Sequence, residues 1–321
     1  MSRDRIDPES RRGLDALLEI VPGGFNAIPD IADRRAALKR VLDETTAALP
    51  PNERVATDDR VIDGPKGASD VSVRVFRPAG AAGVLPGIYY IHGGGMSMGS
   101  IDGEAPLSAM LCETINAVIV SVEYRLAPEH PYPAAVEDCY AGLVWMAENA
   151  PQLGFDRERL AIYGGSAGGG LAIATALTTR DRGGPAPCFI MALYPMIDDR
   201  NETPSSHEIT NIGIWDRDAN REAWEWYLGG KRADGYAAPA RVENLNGLPP
   251  TFIDVGAVDL FRDEDIAFAT RLLQAGVPTE LHVCPGSYHG SEVFAPDATL
   301  SKTIWARRIE ALRRALHPRS A

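Results

Sequence analysis

Ser166 stands in the stretch Tyr163-Gly164-Gly165-Ser166-Ala167-Gly168-Gly169-Gly170, a serine enclosed by small residues. Before it, Arg159-Leu160-Ala161-Ile162-Tyr163 is short and apolar enough for a buried strand. After it, Leu171-Ala172-Ile173-Ala174-Thr175-Ala176-Leu177 reads as the start of a helix. A serine where a strand turns sharply into a helix fits G-x-S-x-G, the elbow that holds a nucleophile in strained backbone geometry with its hydroxyl projecting clear. Glycine at 164 and 168 lets strand and helix approach closely. The helix N-terminus places a positive dipole end and free N–H groups beside the hydroxyl. A phosphate loop would need a Lys-Ser/Thr pair and a dinucleotide loop G-x-G-x-x-G; the stretch has neither.

A serine hydroxyl is a poor nucleophile until a base accepts its proton. Of the six histidines, His317 lies in the tail, His130 and His207 in polar loops, and His282 within a strand pattern. His289 remains, in the loop Pro285-Gly286-Ser287-Tyr288-His289-Gly290 after the last strand signal. An acid must orient that histidine. Asp259 lies in the loop after Thr251-Phe252-Ile253-Asp254-Val255 and is the choice, with Asp198 as rival. Asp254 falls inside the strand, and Asp263 and Glu264 sit where the first turn of a helix favours negative charge. The oxyanion of an acyl-transfer intermediate needs backbone donors. Ala167 supplies one, and Gly93, Gly94 and Gly95, after a strand ending at His92, can supply others. Met96, Met98 and Trp215 are candidates to line the substrate pocket, and His92 to fix the loop.

The elements that must position these groups follow from hydrophobic patterning. Residues 11–48 carry Leu14, Leu17 and Leu18, then Ala37, Leu38, Val41 and Leu42, at helical spacing, broken by Pro22-Gly23-Gly24 and Pro29. They predict two helices ahead of the sheet, an appended cap over residues 1–50. Residues 54–63 and 71–77 alternate as antiparallel strands with one wet face. Residues 87–91, 117–122, 160–163, 189–194, 250–255 and 279–283 read as buried strands, with helices over 134–149, 263–275 and 300–316. This order predicts an α/β fold, a mostly parallel central sheet with helices on both faces, with ligands at the carboxyl ends of the strands. Residues 198–232, with Trp215, Trp224, Trp226 and Tyr227, form a long insertion suited to a lid or pocket wall. The catalytic domain then spans 51–321.

The chain has 321 residues, 45% of them hydrophobic, and a net charge of −12. No basic footprint for nucleic acid or an anionic membrane is present. Four scattered cysteines without C-x-x-C spacing, and an N-terminus without an apolar signal region, suit a reducing, cytoplasmic setting.

In His92-Gly93-Gly94-Gly95, in the long string Tyr124-Arg125-Leu126-Ala127-Pro128-Glu129-His130-Pro131-Tyr132-Pro133-Ala134-Ala135, and in Gly164-Gly165-Ser166-Ala167-Gly168-Gly169, Asp259-Leu260-Phe261-Arg262-Asp263-Glu264 and His289-Gly290, the chain resembles the bacterial hormone-sensitive-lipase-like esterases of the α/β-hydrolase superfamily. The resemblance runs over roughly residues 50 to 316. It implies Ser166 as nucleophile, His289 as base, Asp259 as acid, oxyanion donors from Gly94, Gly95 and Ala167, and a helical cap made of the N-terminal helices and the 198–232 insertion. It also implies short-chain acyl ester substrates and, commonly, a homodimer, and the chemistry requires no metal or organic cofactor. Gly165 stands where the family usually has Asp, and Leu260 where it often has Pro. Rival readings are a hydrolase-fold protein that binds a ligand without turnover, or an amidase, lactonase or acyltransferase using the same triad.

Overall fold

The computed structural model describes residues 2–47 and 52–317; the expected boundary at Pro50-Pro51 lies outside them. Two helices come first, α1 (Pro8–Ile20) and α2 (Ile31–Ala47). Asp7 caps α1 by accepting the amides of Glu9 and Ser10. There follow β1 (Val55–Ile62), β2 (Val71–Pro78), β3 (Leu85–Ile91), α3 (Ile101–Ile115), β4 (Val118–Glu123), α4 (Ala134–Glu148), α5 (Ala150–Leu153), β5 (Phe155–Gly165) and α6 (Ala167–Arg182). The second half comprises β6 (Phe189–Leu193), α7 (Pro204–Glu208), α8 (Arg217–Leu228), β7 (Thr251–Val258), α9 (Arg262–Gln274), β8 (Thr279–Tyr288), α10 (Ser291–Phe294) and α11 (Thr299–Leu316).

The eight strands form one sheet in the order β1-β2-β4-β3-β5-β6-β7-β8. β1 pairs with β2 and β2 with β4 antiparallel, and every other pair is parallel. Exposure follows position: β1, at the edge, is largely exposed, whereas β3 and β6 are buried throughout because helices cover both faces. On one face Tyr89, Ile162 and Ile190 pack with Val136 and Leu143 of α4, Leu171 of α6 and Phe268 of α9. On the other, Tyr90, Tyr163 and Met191 pack with Leu111 and Ile115 of α3 and Leu312 of α11.

Helix α3 has no counterpart in the sequence reading. Gly103 and Pro106 interrupt its pattern, yet Ser100 caps it by accepting the Gly103 amide, and Leu111, Cys112 and Ile115 bury its inner side. The residue 198–232 segment folds back on the N-terminal helices. Arg34 of α2, 3% exposed, donates to Glu222 of α8 at 2.7 Å and to the Ile28 carbonyl, and lies over Trp226. Gly24, at φ +79°, packs so closely on Gly213 that a Cβ would fall 1.8 Å from its carbonyl oxygen. No helix among the described residues is long and apolar enough to cross a membrane.

Candidate active site

Strand β5 ends at Gly165 and α6 starts at Ala167, so Ser166 alone makes the turn. Its φ of 57° with ψ of −122° is a conformation side-chain-bearing residues rarely hold. Packing enforces it. The Ser166 amide donates to the Leu193 carbonyl of β6, and the Ser166 carbonyl accepts from Met196. A Cβ on Gly164 would meet the Gly168 carbonyl oxygen at 2.1 Å, and one on Gly168 the Ile91 carbonyl oxygen at 2.1 Å. Neither position admits a side chain.

His289 directly follows β8, and its Nε2 lies 2.9 Å from Ser166 Oγ. Its Nδ1 lies 2.9 Å from Asp259 Oδ2. A carboxylate accepts, so Nδ1 carries the hydrogen and Nε2 is left to take the serine proton. Asp259 is fully buried, and its other oxygen accepts the Phe261 amide at 3.0 Å, which fixes the carboxylate in the loop after β7. Tyr194 and Phe261 pack edge-on against the His289 ring. The rival acid, Asp198, is instead paired with Arg200 at 2.6 Å. Glu264 turns inward and accepts the amides of Ile197 and Asp198, rather than serving only as a first-turn charge. Among the other histidines, His282 bonds Glu280 and His317 the Ile115 carbonyl.

His92 is buried and stacked on Tyr124, and its Nδ1 donates to the Gly93 carbonyl at 2.8 Å. Burial pushes its pKa down to about 4, so it stays neutral and supports the loop. The glycine loop itself requires a correction. The Gly93 amide is taken by Glu104 Oε1 at 2.9 Å and is not free for an oxyanion. The amides of Gly94 and Gly95 have no protein acceptor among the described residues. Ala167, first in α6, has an amide without an intrahelical acceptor.

These groups open into a cavity of about 290 Å³ whose walls include Ser166, His289, Gly94 and Gly95. Phe25, Leu38, Leu42, Ile214 and Trp215 supply its apolar side from the N-terminal helices and the insertion. The Trp215 ring packs tightly against the loop, since a Cβ on Gly95 would come within 2.2 Å of its Cη2. Met96 is not among the lining residues. The chain turns over at this residue, with φ of 55°, its side chain is 1% exposed, and its carbonyl accepts the Ala127 amide; Met98 lines the cavity instead. Glu104, Tyr194, Glu292 and Arg308 also line it and escaped sequence reading, because each lies on an element with no motif of its own.

A nucleophile elbow between β5 and α6, with a histidine after the last strand of such a sheet, defines an α/β hydrolase. A family model described as the alpha/beta hydrolase fold matches residues 88–293, and the chain belongs to that family. Carboxylesterase NlhH of Mycobacterium tuberculosis is 36% identical, the match covering 99% of this chain and 98% of the relative. Esterase LipI of the same organism is 37% identical over 97% and 96%. Among solved structures, bacterial heroin esterase superposes with a TM-score of 0.93 at 35% identity, covering 99% of this chain and 100% of that one. The protein is a carboxylic ester hydrolase of the hormone-sensitive-lipase-like group.

Proposed function

We propose that this enzyme hydrolyses short-chain acyl esters through Ser166, His289 and Asp259 and a covalent acyl-enzyme. The observation that carries the reading is the unbroken relay Ser166–His289–Asp259, with both hydrogen bonds at 2.9 Å. Ser166 attacks the ester carbonyl as His289 Nε2 takes its proton. The carbonyl oxygen becomes an oxyanion facing the amides of Gly94, Gly95 and Ala167; losing one such donor costs on the order of 10²–10³ in rate. His289 then protonates the departing alcohol, and the acyl group stays on Ser166. Water enters, gives its proton to His289 and attacks the acyl-enzyme, and His289 returns the proton to Ser166 as the acid leaves. Asp259 holds the imidazole in the Nδ1–H tautomer and stabilises the imidazolium formed at each step. The N-terminal helices and the 198–232 insertion act as the cap that excludes water. The bounded cavity beneath the cap, about 290 Å³, favours short acyl chains.

Hydrolysis of p-nitrophenyl esters from acetyl to palmitoyl, run beside Ser166→Ala, tests this. Activity on the short chains that disappears in the variant is expected. Turnover retained by Ser166→Ala would place the nucleophile elsewhere.

A further inference from the structure

We propose that Gly165 is a specificity-determining residue. The side chain it lacks opens an arm of the cavity that admits acyl groups branched or ring-bearing next to the carbonyl. The inference rests on the esterase reading above.

Glycine at 165 is not demanded by the backbone. Cβ atoms on Gly164, Gly168 and Gly170 would each meet a carbonyl oxygen at 2.1 Å, but one on Gly165 would meet only the Tyr194 ring, at 3.4 Å or more. That is ordinary contact. The position is therefore empty although a side chain would fit. Alternation along β5 puts residue 165 on the same sheet face as Tyr163, which is paired with Tyr90 of β3. This is the face covered by α3 and α11, and the cavity extends to Tyr90, Tyr163, Leu107 of α3 and Trp305 of α11. A side chain at 165 would stand at the entrance to that arm, directly beside the nucleophile.

The arm's chemistry follows from its walls. Its polar groups are already engaged: Glu104 by the Gly93 amide and the Tyr90 hydroxyl, Tyr194 by Glu292, and Arg308 by Asp254 and Glu292. The buried Tyr163 hydroxyl is the exception. What remains for a ligand is mainly ring face and aliphatic carbon, which suits apolar bulk. The arm is closed in by the sheet and two helices. Such a space fits the acyl half, which stays on Ser166, whereas the alcohol must leave while the acyl group is still bound.

The test compares p-nitrophenyl isobutyrate and benzoate with the linear butyrate on wild type, Gly165→Val and Leu107→Phe. Gly165→Val fills the arm from the elbow; Leu107→Phe fills it from α3, away from the elbow. The ratio of kcat/KM for the branched or aromatic ester over the linear one is expected to fall about tenfold in each. Such a ratio, taken on one preparation, is insensitive to the folded fraction, and Leu107→Phe decides if Gly165→Val is insoluble. Ratios within about twofold of wild type in an active enzyme would overturn the inference and leave the esterase reading standing. Absence of ester hydrolysis in the wild type, or its survival in Ser166→Ala, would instead defeat the esterase reading.

Discussion

The carboxylate of Glu104 accepts the Gly93 amide at 2.9 Å while its other oxygen accepts the Tyr90 hydroxyl at 2.5 Å, so α3 is tied to the glycine loop beside Ser166. Burial raises the Glu104 pKa, and the two donors work against that by favouring the ionised acceptor. The free amides of Gly94 and Gly95 follow directly in the chain, so their aim depends on this anchor. Glu104→Ala should lower kcat on acetyl esters by about tenfold to a hundredfold, less than loss of a donor itself, with a smaller change in KM. Glu104→Gln, which keeps one acceptor, should recover part of the loss. Steady-state kinetics of the two variants checks this; a change confined to KM would assign Glu104 to binding alone.

Asp259 and Asp198 make a second contrast. Both follow strands in the right part of the sheet, but only Asp259 touches His289. Asp259→Asn should leave the fold intact and reduce kcat by roughly 10³–10⁴, because the amide no longer enforces the Nδ1–H tautomer. Asp198→Asn, which weakens a pair with Arg200, should retain activity near wild type. Equal losses in the two would refute the assignment.

Much of this was legible in the chain, for identifiable reasons. The elbow could be read because its glycines are backbone requirements: at Gly164 and Gly168 no side chain fits. The buried strands could be read because both faces are covered, leaving apolar runs such as Gly87-Ile88-Tyr89-Tyr90-Ile91. Helix α3 could not, since Pro106 and Gly103 break its local pattern while tertiary packing of Leu111 and Ile115 holds it. Gly93 was misread for a related reason: three glycines in a row look equally able to donate, and only the position of Glu104, eleven residues on, removes one from use. Met96 failed as a pocket residue because its positive φ reverses the chain, a property a methionine does not advertise.

Arg35 joins the N-terminal helices to the body of the enzyme. It donates to the Ser97 and Ala127 carbonyls at 2.7 and 2.8 Å and to both oxygens of Glu129. The Arg35 hydrogen bond leads in holding the Glu129 pKa down, to about 2. A folded-state pKa below the unfolded one gives stabilisation that is complete above the ordinary glutamate value and is lost as the pH falls through it towards 2. Arg35→Ala should therefore raise KM by loosening α2 over the pocket. It should also flatten the acid side of the stability profile, as followed by thermal melts across that range; a profile parallel to wild type would contradict the clamp.

Arg308 is 1% exposed and ties together the surroundings of Asp259 and His289. It donates to both oxygens of Asp254, five residues before Asp259, and to Glu292, three residues after His289. Glu292 in turn accepts the hydroxyl of Tyr194, whose ring packs against His289. Burial raises the Asp254 pKa, whereas at Glu292 the Arg308 charge and the tyrosine hydroxyl outweigh burial and hold the carboxyl below its usual range. Arg308→Met would strand two buried carboxylates without a counter-charge, a loss of about 3–5 kcal/mol. In that variant both groups would have raised folded-state pKa values. Their penalty is then small below the unfolded carboxylate range and grows as the pH rises through the folded values. Urea unfolding at acid and neutral pH should accordingly give a deficit that shrinks on acidification. Adding Asp254→Asn and Glu292→Gln to Arg308→Met removes the stranded charges and should restore much of the stability at neutral pH. A deficit independent of pH, and undiminished by the added neutral residues, would mean that Arg308 contributes through packing alone.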